Sequence, residues 1–441
     1  MTTDHDGGDG GDGGWLDPAE RSSLAGLARR FGSPLYVYRL DRVRKAAADL
    51  RAAVPEGAEI FYSLKANPEV GIVRELAAAG LSAEVSSTGE LAAALAAGHP
   101  GESLLYGGPG KTAGEVAEAL AAGVRLFSVE SVVDYLRVAR VADEVGVRAR
   151  CLVRVNAERG AAGTGLRMTG KPSQFGVEFA DLAELAELAD ARRDALEIVG
   201  THVFSATNLG GEDELIAEFA VGVETTARAR EVLGISGGVA DLGGGFGAPY
   251  ARPGARVPLP KLRAALENLL DDGLPGWRDG DPQIAFESGR ALSADCGTLV
   301  CTVTDVKVSR GSTYVVLDAG TNALGGMSGL GRLLPPGARI LPVESAGLAG
   351  PDQAGPTGSI TLVGPLCTPL DTLSRGHTAS VPEVDAVVAV PNVGAYGLHA
   401  SLLAFLGRPL PGIVVVDGDL DGEQVVSAQR LGLVHSALAE R

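Results

Sequence analysis

From residue 40 to residue 280, short apolar runs alternate with Ala-, Leu- and Glu-rich stretches in which apolar positions recur at helical spacing. The runs fall at 60–64, 83–86, 126–129, 151–155, 198–204, 239–242 and 284–287, each the length of a buried strand. Strand and helix in regular alternation predict repeated βα units around a parallel sheet, and about eight such units close a (β/α)8 TIM-type barrel. Polar residues that end those runs would gather at the C-terminal mouth of the barrel, where this fold keeps its active sites. After Ser288 the helical period fades. Runs at 298–307, 313–317, 359–363, 385–390 and 412–416, parted by Gly and Pro, predict an antiparallel β domain, a barrel or a sandwich. Pro34-Leu35-Tyr36-Val37-Tyr38 is one more strand-like run, ahead of the helical stretch 40–54, and 347–358 reads as a Gly/Pro-rich surface loop.

Composition narrows the setting. With 441 residues, 45% of them hydrophobic, and a mean hydropathy of +0.16, the chain can fill the cores of two domains. No apolar run approaches the roughly 20 residues of a membrane span. The N-terminus carries an acidic, Gly-rich run from Asp6 to Gly14 in place of a basic and apolar signal, which predicts a disordered leader and a cytoplasmic protein. A formal charge of −17 argues against nucleic acid, whose phosphates demand a basic patch. Cys151, Cys296, Cys301 and Cys367 form no CxxC pair and have no His-rich neighbour, so neither a disulfide framework nor a metal site is expected.

Candidate chemistry begins at Phe61-Tyr62-Ser63-Leu64-Lys65-Ala66-Asn67. A lysine at the end of a buried strand is expected to be partly desolvated, which lowers its pKa and frees the amine to condense with an aldehyde. An isolated lysine in that place more often snorkels its ammonium to the surface. Asp241-Leu242-Gly243-Gly244-Gly245-Phe246-Gly247 follows another apolar run, and residues without side chains let backbone N–H groups approach an anion such as a phosphate. The run has neither GxGxxG spacing nor a GK[ST] ending, which speaks against a nucleotide, and a Gly-rich turn is often no more than a turn.

Further segments follow in order: Ala83-Glu84-Val85-Ser86-Ser87, Arg154-Val155-Asn156, His202-Val203-Phe204-Ser205-Ala206-Thr207-Asn208, Glu287-Ser288-Gly289-Arg290, Gly364-Pro365-Leu366-Cys367-Thr368-Pro369-Leu370-Asp371 and Gly394-Ala395-Tyr396. Separately each has an ordinary explanation: a helix cap at Glu84, an exposed strand arginine, a surface Glu–Arg pair, a buried cysteine. Together with the Lys65 and glycine segments, this set resembles the fold-type III pyridoxal phosphate (PLP) decarboxylases, the family of the ornithine, arginine and diaminopimelate enzymes.

The resemblance runs from about Pro34 to Gly418 and implies a barrel joined to a C-terminal β domain that also takes in the N-terminal strand. The expected division is a leader at 1–15, a PLP-binding barrel at 40–285, and a β domain of 16–39 with 286–441. It implies that Lys65 holds PLP and that Glu84 orients the lysine. By the same resemblance Arg154 would support the cofactor side of the barrel. Glu287 would keep the pyridine nitrogen protonated so that the ring can take up electrons. Gly243, Gly244, Gly245, Gly289, Arg290 and Tyr396 would meet the phosphate. The family's stacking histidine and phosphate-binding serine fall at Phe204 and Thr207, where a phenyl ring can still stack and a hydroxyl can still donate; His202 is expected to be structural.

Cys367 would reach the neighbouring subunit's active site in a homodimer and act as a proton donor. Thr368 and Asp371 would line the substrate place. Basic-amino-acid decarboxylases of this family carry a carboxylate where Thr368 stands, to pair a distal ammonium. Its absence implies another kind of substrate, and the pattern is most similar to a subgroup acting on carrier-linked amino acids or in siderophore and secondary-metabolite assembly. A diaminopimelate decarboxylase, an amino-acid racemase on the same fold and a non-catalytic PLP-binding protein are the alternatives.

Overall fold

The computed structural model describes residues 16–157, 166–167, 173–204, 206–325, 336–345, 356–418 and 422–434. The leader expected at 1–15 and most of the loop expected at 347–358 lie outside the described residues. The chain divides into two units, one of residues 42–248 and 255–293, the other of residues 1–41, 249–254 and 294–441.

The first unit is a closed barrel of eight strands: β1 (Glu59–Ser63), β2 (Ser82–Val85), β3 (Leu104–Tyr106), β4 (Leu126–Val129), β5 (Ala149–Arg154), β6 (Leu196–His202), β7 (Val239–Asp241) and β8 (Gln283–Ser288). Each strand pairs in parallel with the next in sequence, and β8 pairs back onto β1. Helices follow the strands, among them Thr88–Ala97, Ala113–Ala121 and Val132–Glu144, and local chemistry starts these three: Ser87, Thr112 and Ser131 each accept an N–H from the third residue of the helix. Seven of the eight strands coincide with apolar runs in the sequence. β3 is the exception.

The barrel interior is layered. Phe61, Leu105, Leu126, Leu152 and Ala285, with Val199 and Val239 packed on them, form an apolar floor. Side chains two residues apart on a strand share a face. Two residues beyond the floor, the strand ends therefore carry Ser63, Gly107, Ser128, Arg154, Asp241 and Glu287 toward the mouth. Each large floor side chain contributes about 1.5–3 kcal/mol of burial energy, which secures the positions of the polar layer above it.

The expected boundary between 285 and 286 cuts through β8 and is corrected to lie after Ser293. The texture of the sequence changes at Ser288, but the chain first makes the short helix Arg290–Ser293, while Gly289 packs on the turn around Lys65. Residues 249–254 go with the second unit because backbone hydrogen bonds hold Ala251 to Asn392 and Arg339.

The second unit begins with the helix Pro18–Phe31, capped by Asp17, whose Oδ1 accepts the Glu20 N–H at 2.8 Å. Its nine-stranded sheet runs in the order Thr372–Ser380, Thr357–Val363, Ser312–Leu317, Gly297–Ser309, Leu35–Arg39, Gly412–Asp417, Gln424–Arg430; Val387–Val390 pairs with Gly297–Ser309 and carries Leu341–Glu344. The N-terminal strand Leu35–Arg39 is buried along its whole length, and Leu35 and Val37 pack with Val300, Val414 and Leu24. The sheet is mixed, not wholly antiparallel as expected. Leu35–Arg39 runs parallel to Gly412–Asp417, and Ser312–Leu317 parallel to Thr357–Val363. Neither pair is joined by a hairpin, so no tight turn imposes an antiparallel sense.

Candidate active site at the barrel mouth

Lys65 sits just past β1, on the single turn Leu64–Ala66. Its Nζ lies 3.0 and 3.2 Å from the two carboxylate oxygens of Glu84, at the end of β2. The Lys65 side chain is 42% exposed and that of Glu84 5%. The turn thus lifts the lysine out of the buried strand, and the expected desolvation of its amine is replaced by a carboxylate contact. Burial alone would raise the Glu84 pKa, but the Lys65 charge, hydrogen bonds from Ser63 and Lys65, and the Arg154 charge outweigh it and hold this carboxyl below its ordinary value. Glu84 is not a helix cap. Ser87 accepts the Glu90 N–H, and Glu90 in return accepts the Ser86 N–H at 2.7 Å.

Arg154, at the end of β5, has a partner inside the barrel: its guanidinium lies 3.0 Å from Glu130, which also accepts the Gly176 N–H at 3.0 Å. The guanidinium stands 4.9 Å from the Phe175 ring centre and 5.7 Å from that of Phe204. The Lys65 ammonium is likewise 5.7 Å from the Phe204 ring. Phe204 therefore has cations at two edges of its environment and glycines at another, because a Cβ on Gly243 or Gly244 would meet its ring at 2.9 and 3.3 Å.

The glycine segment is required by close approach. Gly243 has φ +67°, and Cβ atoms at Gly243 and Gly244 would come within 2.4 Å of the carbonyl oxygens of Val203 and Glu287. The Gly243 N–H donates to Asp241 Oδ1 at 2.8 Å, and its carbonyl accepts the Glu287 N–H at 2.7 Å. The Leu209 N–H donates to the Gly245 carbonyl at 2.9 Å, which lays the segment carrying Thr207 alongside the glycines. Gly289 presses on the lysine turn: its Cβ would lie 2.8 Å from that of Ala66. Arg290 follows it, half-buried, at the start of the short helix.

Deeper in the mouth, ligand-type atoms of His202, Asp241 and Glu287 lie within 4.8 Å of one another, all buried. His202 Nδ1 is 2.8 Å from Ser128 Oγ, and its Nε2 is 3.4 Å from Glu287 Oε1. Among the described residues, His202 Nε2, Asp241 Oδ2 and Glu287 Oε1 have no hydrogen-bond partner. Burial first, then the charges of Glu84 and Asp241, pushes the Glu287 carboxyl well above the usual carboxylate range. Burial also lifts Asp241 up to about 7, against the Gly243 N–H, which works to lower it. His202 is held well below its ordinary value by burial and by the charges of Arg154, Lys65 and Lys111. A buried carboxyl in this state is electrostatically incomplete, and a positively charged N–H donor would complete it.

The structure thus brings Lys65, Glu84, Arg154, Phe204, Gly243, Gly244, Gly245, Glu287 and Gly289 to one barrel end. Cys367, Thr368, Asp371 and Tyr396 belong to the second unit. Cys367 is exposed on the loop 364–371. Asp371 has a different task from the substrate contact expected of it. Its Oδ1 accepts from Thr321 N–H and Oγ1 at 2.7 and 3.1 Å and its Oδ2 accepts the Leu366 N–H at 2.7 Å, so the buried carboxylate is used up in folding the loop. Thr368 Oγ1 accepts the Leu370 N–H at 3.3 Å. Tyr396 has a positive φ of 54°, and its carbonyl accepts the Tyr250 hydroxyl at 3.0 Å.

Sequence reasoning passed over Ser128, Glu130 and Phe175 and gave Asp241 no role. Glu130 directly follows β4, so the rule that barrel strands end at the active site could have marked it. Phe175 lies far from any quoted segment and left no such signal.

The model of the pyridoxal-binding domain of pyridoxal-dependent decarboxylases matches residues 40–294. The chain is 31% identical over 402 residues to the L-glutamyl-[BtrI acyl-carrier protein] decarboxylase of Niallia circulans, covering 90% of this chain and 91% of that protein. It is 30% identical over 404 residues to the diaminopimelate decarboxylase of Zymomonas mobilis, with 90% of each covered. The crystal structure of Helicobacter pylori diaminopimelate decarboxylase with L-lysine superposes with a TM-score of 0.76 at 26% identity, over 91% of this chain and 95% of that one.

Proposed function

Because this chain belongs to the pyridoxal-dependent decarboxylases and is itself a PLP-dependent carboxy-lyase, we propose that it removes the α-carboxylate of an amino acid presented on a carrier protein or as a similar linked derivative, in secondary-metabolite or siderophore assembly. The residues at the barrel mouth fit the cofactor. The unpartnered, buried Glu287 Oε1 calls for a cationic N–H such as a protonated pyridine supplies, and the glycine segment leaves no room for side chains.

In this reading Lys65 would bind the cofactor aldehyde carbon, Phe204 would stack on the ring and Glu287 would meet its nitrogen. Gly243, Gly244, Gly245, Thr207, Gly289 and Arg290 would hold the phosphate, and the family resemblance assigns Tyr396 the same role. The cofactor supplies the sink for the electron pair of the breaking bond between Cα and the carboxylate. Glu84, whose carboxylate oxygens lie 3.0 and 3.2 Å from Nζ, would hold the Lys65 amine at the barrel mouth. Arg154, fixed by Glu130, contributes positive charge near the departing carboxylate. Cys367, from the neighbouring subunit of a homodimer, or Lys65 returns a proton to Cα.

Thr368 is the observation that carries the substrate assignment. A neutral hydroxyl stands where an acidic residue would pair a distal ammonium, and a relative covered over 91% of its length is named for a carrier-linked glutamyl group. The free thiols Cys151, Cys301 and Cys367 suit a reducing cytoplasm. No helix among the described residues is long and apolar enough to cross a membrane.

Carbon dioxide release tests the reading. The PLP-loaded enzyme is offered glutamyl and other aminoacyl groups thioesterified to a carrier protein, the same amino acids free, ornithine, lysine and diaminopimelate, with chiral analysis of recovered substrate. Faster release from the carrier-linked substrates is expected. Preference for diaminopimelate, or loss of chirality without gas, would overturn it.

A further inference from the structure

His202 was expected to be structural, yet it is set against two buried carboxyls, Asp241 and Glu287. Its ring is gripped on one side by Ser128, whose Oγ is 2.8 Å from Nδ1. Ser128 is itself held: its carbonyl accepts from Lys111 Nζ at 2.8 Å, and that ammonium, 1% exposed, is paired with Asp134 at 2.8 Å. On its other side His202 Nε2 faces Glu287 Oε1 at 3.4 Å, with Asp241 in the same cluster.

The tautomer follows from this arrangement. With Glu287 ionised against a protonated ring nitrogen, as the proposed function has it, its Oε1 3.4 Å from Nε2 is an acceptor and Nε2 carries the hydrogen. A neutral ring then leaves Nδ1 bare, and Ser128 must donate to it. Nε2 and Glu287 Oε1 are 3.4 Å apart without hydrogen-bond geometry, and a small reorientation of the carboxylate would bring the two into a hydrogen bond.

We propose that His202, locked by Ser128 in the Nε2–H tautomer, is a positioning residue that orients the Glu287 carboxylate toward the cofactor ring nitrogen. It does not touch the reacting atoms. Its effect passes through Glu287, and so the proposal rests on the assignment of Glu287 to that nitrogen.

The test is a binding comparison, independent of turnover. Cofactor-free protein is titrated with PLP and with 1-deaza-PLP, whose ring carries C–H in place of the nitrogen. Wild type should bind PLP at least about tenfold more tightly than the deaza analogue, the size of one charge-assisted hydrogen bond. Glu287→Gln should reduce that preference sharply; equal binding of the two ligands by wild type would overturn the Glu287 assignment itself. With wild type discriminating, His202→Leu should cut the preference by about fivefold to tenfold, largely through weaker PLP binding, and His202→Gln, whose amide can donate from a similar position, should restore part of it. If His202→Leu weakens both ligands equally, or leaves the preference intact, His202 is packing only and the proposal falls. Should that variant fail to fold, Ser128→Ala carries the same test: about a threefold loss of preference is expected, and an unchanged preference would overturn the proposal.

Discussion

The floor and the mouth of the barrel are made by the same strands two residues apart, yet they are built on opposite principles. Leu105, Leu126, Leu152 and Phe61 fill space and need only fit. Arg154, Glu84, Asp241 and Glu287 are held by charge and hydrogen bonds in a place where each would be costly alone. A floor residue spends its burial on stability. A mouth residue lowers stability unless it is answered, and the answer missing among the described residues, at Glu287, is the kind a pyridinium gives.

This contrast can be broken at several points. The largest effect belongs to chemistry. Lys65→Ala should lower kcat by at least about a thousandfold and remove the visible absorption of the bound cofactor, and should also lower the thermal midpoint of the cofactor-free protein, because it takes a cationic partner from the buried Glu84 carboxylate. Retained absorption would mean that another group holds the ligand.

Next comes the charge answered by a partner. Arg154→Met should destabilise by about 3–5 kcal/mol in urea titrations, because it strands Glu130 at 3% exposure. The double variant Arg154→Met with Glu130→Leu should recover most of that stability but not the activity. A floor truncation, Leu152→Ala, should cost about 2–5 kcal/mol by leaving a cavity, with kcat per folded molecule kept within a few-fold. Gly244→Ala should cost about 1–3 kcal/mol and weaken PLP binding, since its Cβ would lie 2.4 Å from the Glu287 carbonyl oxygen.

The smallest effect is a pH slope. Burial raises Asp241 from 3.8 to about 7. Between those values the folded protein keeps a proton that the unfolded chain has lost, so this group weakens the fold progressively as pH rises through the window and has its full effect above it. His202, kept neutral by burial, contributes in the opposite sense below its unfolded pKa. Asp241→Asn should therefore gain on the parent protein as pH rises from about 5 to about 7, by at most about 1.4 kcal/mol per unit. A difference independent of pH would show that Asp241 is ionised throughout.

The barrel was legible because its strands are buried on both faces and therefore read as apolar runs, while the helices between them keep their own period. β3 was not read from the sequence, although β7 is equally short. The parallel pairing of Leu35–Arg39 with Gly412–Asp417 escaped because register between strands far apart in sequence leaves no local trace. At the site, Lys65, the glycines and Glu287 stood out as motifs. The residues that answer them did not: Glu130, Ser128 and Phe175 act through contacts made only when separate βα units close on one another. The reading of Asp371 failed for a related reason, since only the folded loop shows its carboxylate consumed by Thr321 and Leu366.

Borohydride reduction of the PLP-loaded protein, followed by peptide mass mapping, tests the central claim most directly. The account predicts that the phosphopyridoxyl group is fixed on the peptide containing Lys65. Its attachment at Lys111 or another lysine, or a protein that takes up no PLP, would contradict it.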